Sequence, residues 1–268
     1  MYDIDWHDIP VFVCNRNNLD RGFKRLVDWL LSVGMKHVTV VDNKSTYPPL
    51  LDYYAQQTGI DIDVQAMNIG PRGWWALGKH EQILTPYIYT DCDVVPADTC
   101  PADVIPILLD LLRKQETGRK VGVSLRIDNL PDCFTKKDLV IKWESGFWLP
   151  ERKEQINNEY GDGQRAFRAD VDTTFALYHP QQPFTYTALR TDAPYTFEHV
   201  PWYNDESNPT EEDKYYREHY ETAHEGGQLW KTDQGGWALY GWNVRSRKSM
   251  EATFKVRGLL EDTIPSTT

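Results

Sequence analysis

Tyr87-Ile88-Tyr89-Thr90-Asp91-Cys92-Asp93-Val94-Val95-Pro96 is the stretch on which the reading of this chain turns. Tyr87–Tyr89 is apolar and strand-sized, and it runs without a break into two acids in D-x-D spacing. Carboxylates held at the end of a buried strand are partly shielded from water, and like charges there raise each other's pKa. A hard divalent cation such as Mg2+ or Mn2+ offsets that cost through oxygen ligation and can bridge to a diphosphate. The spacing alone says little, because Asp3/Asp5, Asp61/Asp63 and Asp170/Asp172 repeat it. Context separates them: only Asp91/Asp93 sits between two apolar runs. Asp3/Asp5 and Asp61/Asp63 read better as acidic loops capping a following helix.

Working outward, the flanks alternate strand-like and helix-like segments. Pro10–Cys14 reads as a buried strand, followed by a polar turn, Asn15–Asn18, able to cap a helix. Leu19, Phe23, Leu26, Val27 and Leu30 recur at helical spacing, with Gly34 as the stop. His37–Val41 is the second strand. Pro48-Pro49 opens a second helix that Gly59 ends, and Ile60–Ala66 is the third strand. Ala102 to about Glu116 is helical with a distortion expected at Pro106, and Val121–Ile127 is a further strand. The fold class this implies is α/β, a mostly parallel sheet with helices on both faces. In such sheets ligands lie in the crevice at the carboxyl ends of the strands. The polar clusters Asn15–Asn18, Asp42–Ser45, Asn68–Gly73 and Asp91–Asp93 all fall at those ends.

The second half is less regular. Arg168–Tyr178 reads as a long strand with Asp170, Asp172 and Thr174 on one face. Glu211–Glu225 reads as a polar surface helix, Gly226–Trp242 as a loop, and Gly241–Thr268 as a locally basic tail. With no convincing boundary, residues 1–268 are expected to form a single domain of two halves, about 1–125 and about 126–268.

Composition narrows the function. The 268 residues carry 40 acidic and 29 basic side chains, a net charge of −11, which disfavours a dedicated nucleic-acid binder. Apolar runs stay far short of the roughly 20 residues that span a bilayer. Met1–Pro10 is acidic and lacks the apolar region of a secretory signal, so a cytoplasmic protein is expected. Cys14, Cys92, Cys100 and Cys133 form no C-x-x-C pair, which argues for reduced thiols rather than structural zinc. Ten Trp, 15 Tyr and nine Phe suit either an aromatic core or a surface that stacks on sugar rings.

Three segments carry a family resemblance: Val11-Phe12-Val13-Cys14-Asn15-Arg16, Val40-Val41-Asp42-Asn43-Lys44-Ser45 and Tyr89-Thr90-Asp91-Cys92-Asp93. Over about residues 10–125 the chain resembles a glycosyltransferase of the GT-A type, in the style of family 2 and related bacterial surface-polysaccharide enzymes. The second half departs from the common family 2 pattern, lacking a clear E-D pair and a Q-x-x-R-W stretch. The resemblance implies metal-dependent transfer of a sugar from a nucleotide-diphosphate donor, a UDP-sugar first among them. The acceptor it implies is a hydroxyl of a glycan or lipid-linked glycan. It points to Asn15, Arg16, Asp42, Asn68, Arg72 and Asp91 for the nucleotide sugar and to Asp91 and Asp93 for Mn2+ or Mg2+. Arg72 has its own rationale, since a guanidinium can grip phosphate oxygens bidentately. A third metal ligand in many such enzymes is a later histidine. His179, His199 and His224 are the candidates, with His199, beside Pro201-Trp202-Tyr203, preferred.

The acceptor hydroxyl must lose a proton as it attacks, and a carboxylate opposite the leaving group gives inversion. Asp172 is the first choice for that base, on the expectation that it stands on a rigid strand. Glu144, between Trp143 and Gly146, is the second. A retaining mechanism would need no such base. Trp143, Trp148 and Trp202 are candidate acceptor platforms in loop-like contexts, with core packing as the alternative. Competing functions are a nucleotide-sugar nucleotidyltransferase and an inactive carbohydrate-binding module. The first lacks its glycine-rich signature after the first strand, and the intact Asp91/Asp93 pair opposes the second. A dinucleotide dehydrogenase would need G-x-G-x-x-G after the first strand. The basic tail reads first as a solvated end, with peripheral contact to the inner face of an anionic membrane as the alternative.

Overall fold

The protein is described by a computed structural model covering residues 3–115, 120–149, 153–158 and 161–219. Four strands, β1 (Val11–Asn15), β2 (Val38–Asp42), β3 (Asp61–Val64) and β4 (Tyr87–Asp91), pair in parallel in the order β3-β2-β1-β4. The chain winds outward from β1 through β2 to β3, then returns to place β4 on the other side of β1. That reversal opens a crevice at the carboxyl ends of β1 and β4.

The connecting helices are short. α1 (Phe23–Ser32) buries Phe23, Leu26, Val27 and Leu30, the stripe that the 3.6-residue period marks out. Each such side chain, fully withdrawn from water, contributes about 1.5–3 kcal/mol. α1 begins four residues later than the hydrophobic pattern suggested. Asn18 Oδ1 accepts from Phe23 N at 3.2 Å, and Gly22 adopts φ +133°. A Cβ at Gly22 would stand 2.8 Å from Asp93 Cα, so only glycine lets this helix start press against the D-x-D turn.

α2 (Pro48–Gln56) starts on its two prolines. α3 (Gly73–Ala76) is a single turn bearing Trp74 and Trp75. β5 (Val94–Pro96) leads into α4 (Val104–Lys114), where Pro106 falls in the first turn. There its missing N–H has no helical partner to lose, so it starts the helix rather than distorting it. α4 is buried from Val104 to Leu112 because it packs against sheet strands and also against the turn Trp6–Asp8.

The expected strand Val121–Ile127 is divided. β6 (Lys120–Gly122) joins the main sheet, while β7 (Ser124–Leu125) joins a small sheet of order β5-β12-β7. After α5 (Lys137–Ser145) come the hairpin β8 (Lys153–Asn158) and β9 (Gly161–Asp170), then β10 (Ala176–Tyr178), β11 (Thr187–Thr191), β12 (Thr196–His199) and α6 (Glu211–Glu218). The main sheet reads β3-β2-β1-β4-β10-β6-β11-β9-β8, and only β9 and β10 run against the common direction.

The long strand expected over Arg168–Tyr178 is therefore two strands. β9 lies beside β11, whereas β10 is inserted between β4 and β6. The chain must leave the plane of the sheet to pass from one position to the other, so residues 171–175 cross over β6. Gly122 makes room: a Cβ there would lie 2.7 Å from Val171 Cγ1.

Helices cover both faces unequally. α1, α2 and α4 supply the main core against Val11, Val13, Val38, Val40, Ile88, Val121 and Leu177. The opposite face carries an aromatic layer in which Trp74 and Trp75 pack on Tyr87, Tyr89 and Tyr178. Much of the aromatic surplus is thus core.

Candidate active site

The loops after β1 and β2 form a hydrogen-bonded polar frame, in which Asn15 Oδ1 is buried without a partner. Asn15, the last residue of β1, donates from Nδ2 to Asn18 O (3.0 Å) and to the Tyr54 hydroxyl (2.8 Å). That hydroxyl in turn donates to Asp42 Oδ2 at 2.9 Å, while Asp42 Oδ1 accepts from Ser45 N at 2.7 Å. The Asp42 carboxylate is buried and engaged through both oxygens. Asn17 Oδ1 accepts from Thr46 N and Tyr47 N, and Arg16 donates to the carbonyls of Asn43 and Lys44.

α6 seals the frame from outside. Glu212 accepts from Leu19 N (2.7 Å) and Asp20 N (2.8 Å), and Asp213 pairs with Arg21 at 2.8 Å. The polar surface helix expected from Glu211 onward therefore turns two of its acids inward, where they satisfy donors that would otherwise be buried and unpaired. Burial raises the Glu212 pKa, and the two backbone N–H groups oppose the shift.

The ends of β4 and β12 are built differently. Asp91 N donates to Thr173 O (2.9 Å), and Thr173 Oγ1 donates to Asp91 Oδ2 (2.7 Å). A neutral hydroxyl is a weak match for a carboxylate in this setting. Burial first, and Asp93 second, lift the Asp91 pKa from 3.8 to about 8. His199, the last residue of β12, places Nε2 3.8 Å from Asp93 Oδ1. Its Nδ1 is buried without a hydrogen-bond partner, and burial lowers its pKa toward the neutral, metal-ligating form. Two acids short of donors and a neutral imidazole fit a hard-to-borderline divalent cation. Among the described residues, no set of three or more His, Cys, Asp or Glu side chains is already drawn together as a ligand cluster.

Facing this pair, Arg72 donates from one terminal nitrogen to Asp172 Oδ1 at 3.0 Å, with the Asp172 side chain 55 % exposed. The guanidinium lies over the rings of Phe184 (4.7 Å) and Tyr186 (4.9 Å). Arg72 and Asp172 are both close enough to Asp91 to act on its charge in opposite senses. Asp172 is in the segment that crosses over β6, not on a strand, which corrects the rationale by which it was chosen. Asn68 is buried in the turn before α3, where its Oδ1 accepts from Gly70 N at 3.0 Å.

The other candidates separate. Glu144 is buried on α5 and bonded through Oε2 to a terminal nitrogen of Arg190 at 2.7 Å, which removes it as a free base. Trp143 is on α5 and packs with Trp148 around Phe147 and Phe167, and Trp202 is buried in the main core. Trp143 and Trp202 therefore depart from the loop-like setting expected of an acceptor platform, whereas Trp148 lies, partly buried, in the bend after α5. His179 follows β10 and accepts through its carbonyl from Gln182 N. His224, the loop reading of Gly226–Trp242 and the basic tail lie outside the described residues.

Sequence reasoning missed Lys120, Thr173, Arg190 and Tyr54. Lys120 is fully buried on β6, and its Nζ donates to Val171 O (2.6 Å), Asp172 O (3.1 Å) and the Tyr178 hydroxyl (3.1 Å). Burial pulls its pKa down to about 7, and Asp172 is the leading charge opposing that fall. No motif surrounds the lysine in the sequence.

No family profile matches the chain, and no curated protein matches it by sequence. Among solved structures it is similar to a mannosyltransferase from Pyrobaculum calidifontis in complex with GDP-Man and Mn2+. That likeness has 13 % identity and a TM-score of 0.45, covering 78 % of this chain and 59 % of the other. It is also similar to GalNAc-T7 with UDP, GalNAc and Mn2+, at 10 % identity and a TM-score of 0.43, covering 72 % and 43 %. A third is glucosyl-3-phosphoglycerate synthase from Mycobacterium tuberculosis with Mn2+, UDP-glucose and phosphoglyceric acid, at 11 % identity and a TM-score of 0.39, covering 65 % and 57 %. The chain thus spans less than two thirds of the length of each of these three proteins.

Proposed function

We propose that this protein is a metal-dependent glycosyltransferase acting on a nucleotide-diphosphate sugar. The observation that carries the reading is the under-compensated acid pair at the switch between β1 and β4. Asp91 and Asp93 lie where ligands bind in such sheets, Asp91 has one neutral hydroxyl donor, and His199 stands beside Asp93.

Asp91, Asp93 and His199 would hold Mn2+ or Mg2+. When bound, the cation supplies Lewis-acid stabilisation of the departing nucleoside diphosphate. The frame formed by Asn15, Arg16, Asp42 and Asn68 shapes the nucleoside side of the crevice. Arg72 offers the diphosphate a planar, permanently charged clamp. In the free protein Arg72 and Asp172 are each other's counter-ions, so engagement of Arg72 by phosphate frees the Asp172 carboxylate. Asp172 then accepts the proton of the acceptor hydroxyl as it attacks, and the configuration at the anomeric carbon inverts. A UDP-sugar is the first donor to test, and a glycan or lipid-linked glycan the first acceptor class. Among the described residues no helix is long and apolar enough to cross a membrane.

The experiment is titration calorimetry of UDP and GDP with and without Mn2+, followed by a screen of nucleotide sugars for turnover. Binding should be at least tenfold tighter with Mn2+ than with chelator. Metal-independent binding, or no binding of either nucleotide, rejects the proposal.

A further inference from the structure

Three consecutive carbonyls, from the last residue of β9 into the crossing segment, are held by two buried cations from neighbouring strands. Arg190 Nε, on β11, donates to Asp170 O at 2.7 Å. Lys120 Nζ, on β6, donates to Val171 O and Asp172 O, and its third bond reaches the Tyr178 hydroxyl. An ammonium has three N–H donors, and here all three have acceptors. Arg190 is itself held from behind, by Glu144 at 2.7 Å and by the face of Phe147 at 4.2 Å. The far end of the segment is tied to the site, since Thr173 exchanges two hydrogen bonds with Asp91.

Burying a cation is costly, and an apolar side chain of similar volume would fill the same space without that cost. Packing alone therefore does not account for Lys120. What an apolar residue could not do is hold the two carbonyls that flank the Asp172 Cα after the chain has left the strand ladder.

We propose that Lys120 and Arg190 are positioning residues that set the Asp172 backbone against Asp91, replacing the strand hydrogen bonds that a base on β9 would have had. This inference rests on the transferase reading above for its consequence but not for its geometry. Lys120 acts through the backbone of Asp172 and Glu144 acts through Arg190; neither touches a reacting atom. Glu144, unsuited to be the base, thus belongs to its support.

The test uses the full chain with Lys120→Met, and Lys120→Gln as the variant that keeps an uncharged N–H donor group. Peptide-resolved hydrogen exchange is read first. Residues 171–173 should exchange at least tenfold faster in Lys120→Met, with β1, β2 and their loops unchanged. Unchanged exchange at 171–173 overturns the proposal whether or not the protein proves to be a transferase. Kinetics come second. Displacing the base by about an ångström costs about 10²-fold in kcat, while the donor KM and the nucleotide affinity should stay within threefold. Lys120→Gln should recover part of the kcat loss. A fall in thermal midpoint with kcat retained means that Lys120 only stabilises the fold, and the proposal fails. If Lys120→Met does not fold, the same readouts on Lys120→Gln decide it. A wild type without transferase activity rejects the function and leaves the exchange measurement to judge the geometry.

Discussion

The frame around Asn15 and Asp42 and the acid pair at Asp91 and Asp93 lie on neighbouring strands yet are built on opposite principles. In the frame, the Asp42 carboxylate is closed by Tyr54 and Ser45, and Asn17 by two backbone amides. At the acid pair, Asp91 has one hydroxyl and Asp93 an imidazole 3.8 Å away. The first arrangement is paired through most of its polar atoms, with Asn15 Oδ1 left buried and unpartnered. The second is electrostatically incomplete, and burial pushes the Asp91 carboxyl toward its protonated form. On the function proposed above, that incompleteness is what a cation would relieve.

The most severe way to break this comparison is Asp93→Ala. Transfer should drop to background while the circular dichroism spectrum stays native. Asp61→Ala, in the other strand-borne D-x-D on the sheet edge, should leave transfer unchanged. Full turnover in Asp93→Ala would show that the incomplete charge has no catalytic meaning.

Asp172→Asn should lower turnover by about 10²–10⁴-fold, with nucleotide affinity in Mn2+ held within a few-fold. Turnover near wild type would leave the Arg72–Asp172 pair as a surface contact.

The frame side is sharpened by Tyr54→Phe. Its hydroxyl bridges Asn15 and Asp42, so removal leaves a buried donor and a buried carboxylate oxygen unmatched, a loss of about 1–3 kcal/mol. Urea unfolding should show it as a lower midpoint with an unchanged slope.

On the acid side, Asp91→Asn should do the reverse and raise the thermal midpoint of the metal-free protein, at about 2–4 °C per kcal/mol for a chain of this size. The sign follows from linkage. The folded pKa of Asp91 lies above its unfolded value of 3.8, so its contribution is fully present below pH 3.8 and lost as pH rises toward about 8. The variant's advantage should accordingly grow across that window; a stability gain equal at pH 4 and pH 8 would contradict the assignment.

The smallest effect concerns the thiols. Burial raises Cys14 and Cys100 to about 12 and Cys92 well above the ordinary range, whereas Cys133 is exposed. A thiol reagent at pH 8 should find one fast group in the native protein, and Cys133→Ser should remove it.

Part of this molecule was legible in its residues. Strand-sized apolar runs ending in polar clusters placed β1 to β4 and their carboxyl-end loops, because burial pattern and turn chemistry act over a few neighbours. The same local logic marked Asp91/Asp93 and the buried face of α1. Local signals could not show that the Arg168–Tyr178 run would divide, since that follows from where β10 is inserted, between β4 and β6. Nor could they show that Glu144 would be taken by Arg190, that Glu212 would turn inward, or that Lys120 would lie beneath Asp172. Alone, the sequence determined which segments could be strands and which acids would lie at their ends. The tertiary structure decided what these buried charges meet, because partners 46, 52 and 193 residues apart are matched only when the packed sheet excludes water and a charge without a partner becomes costly.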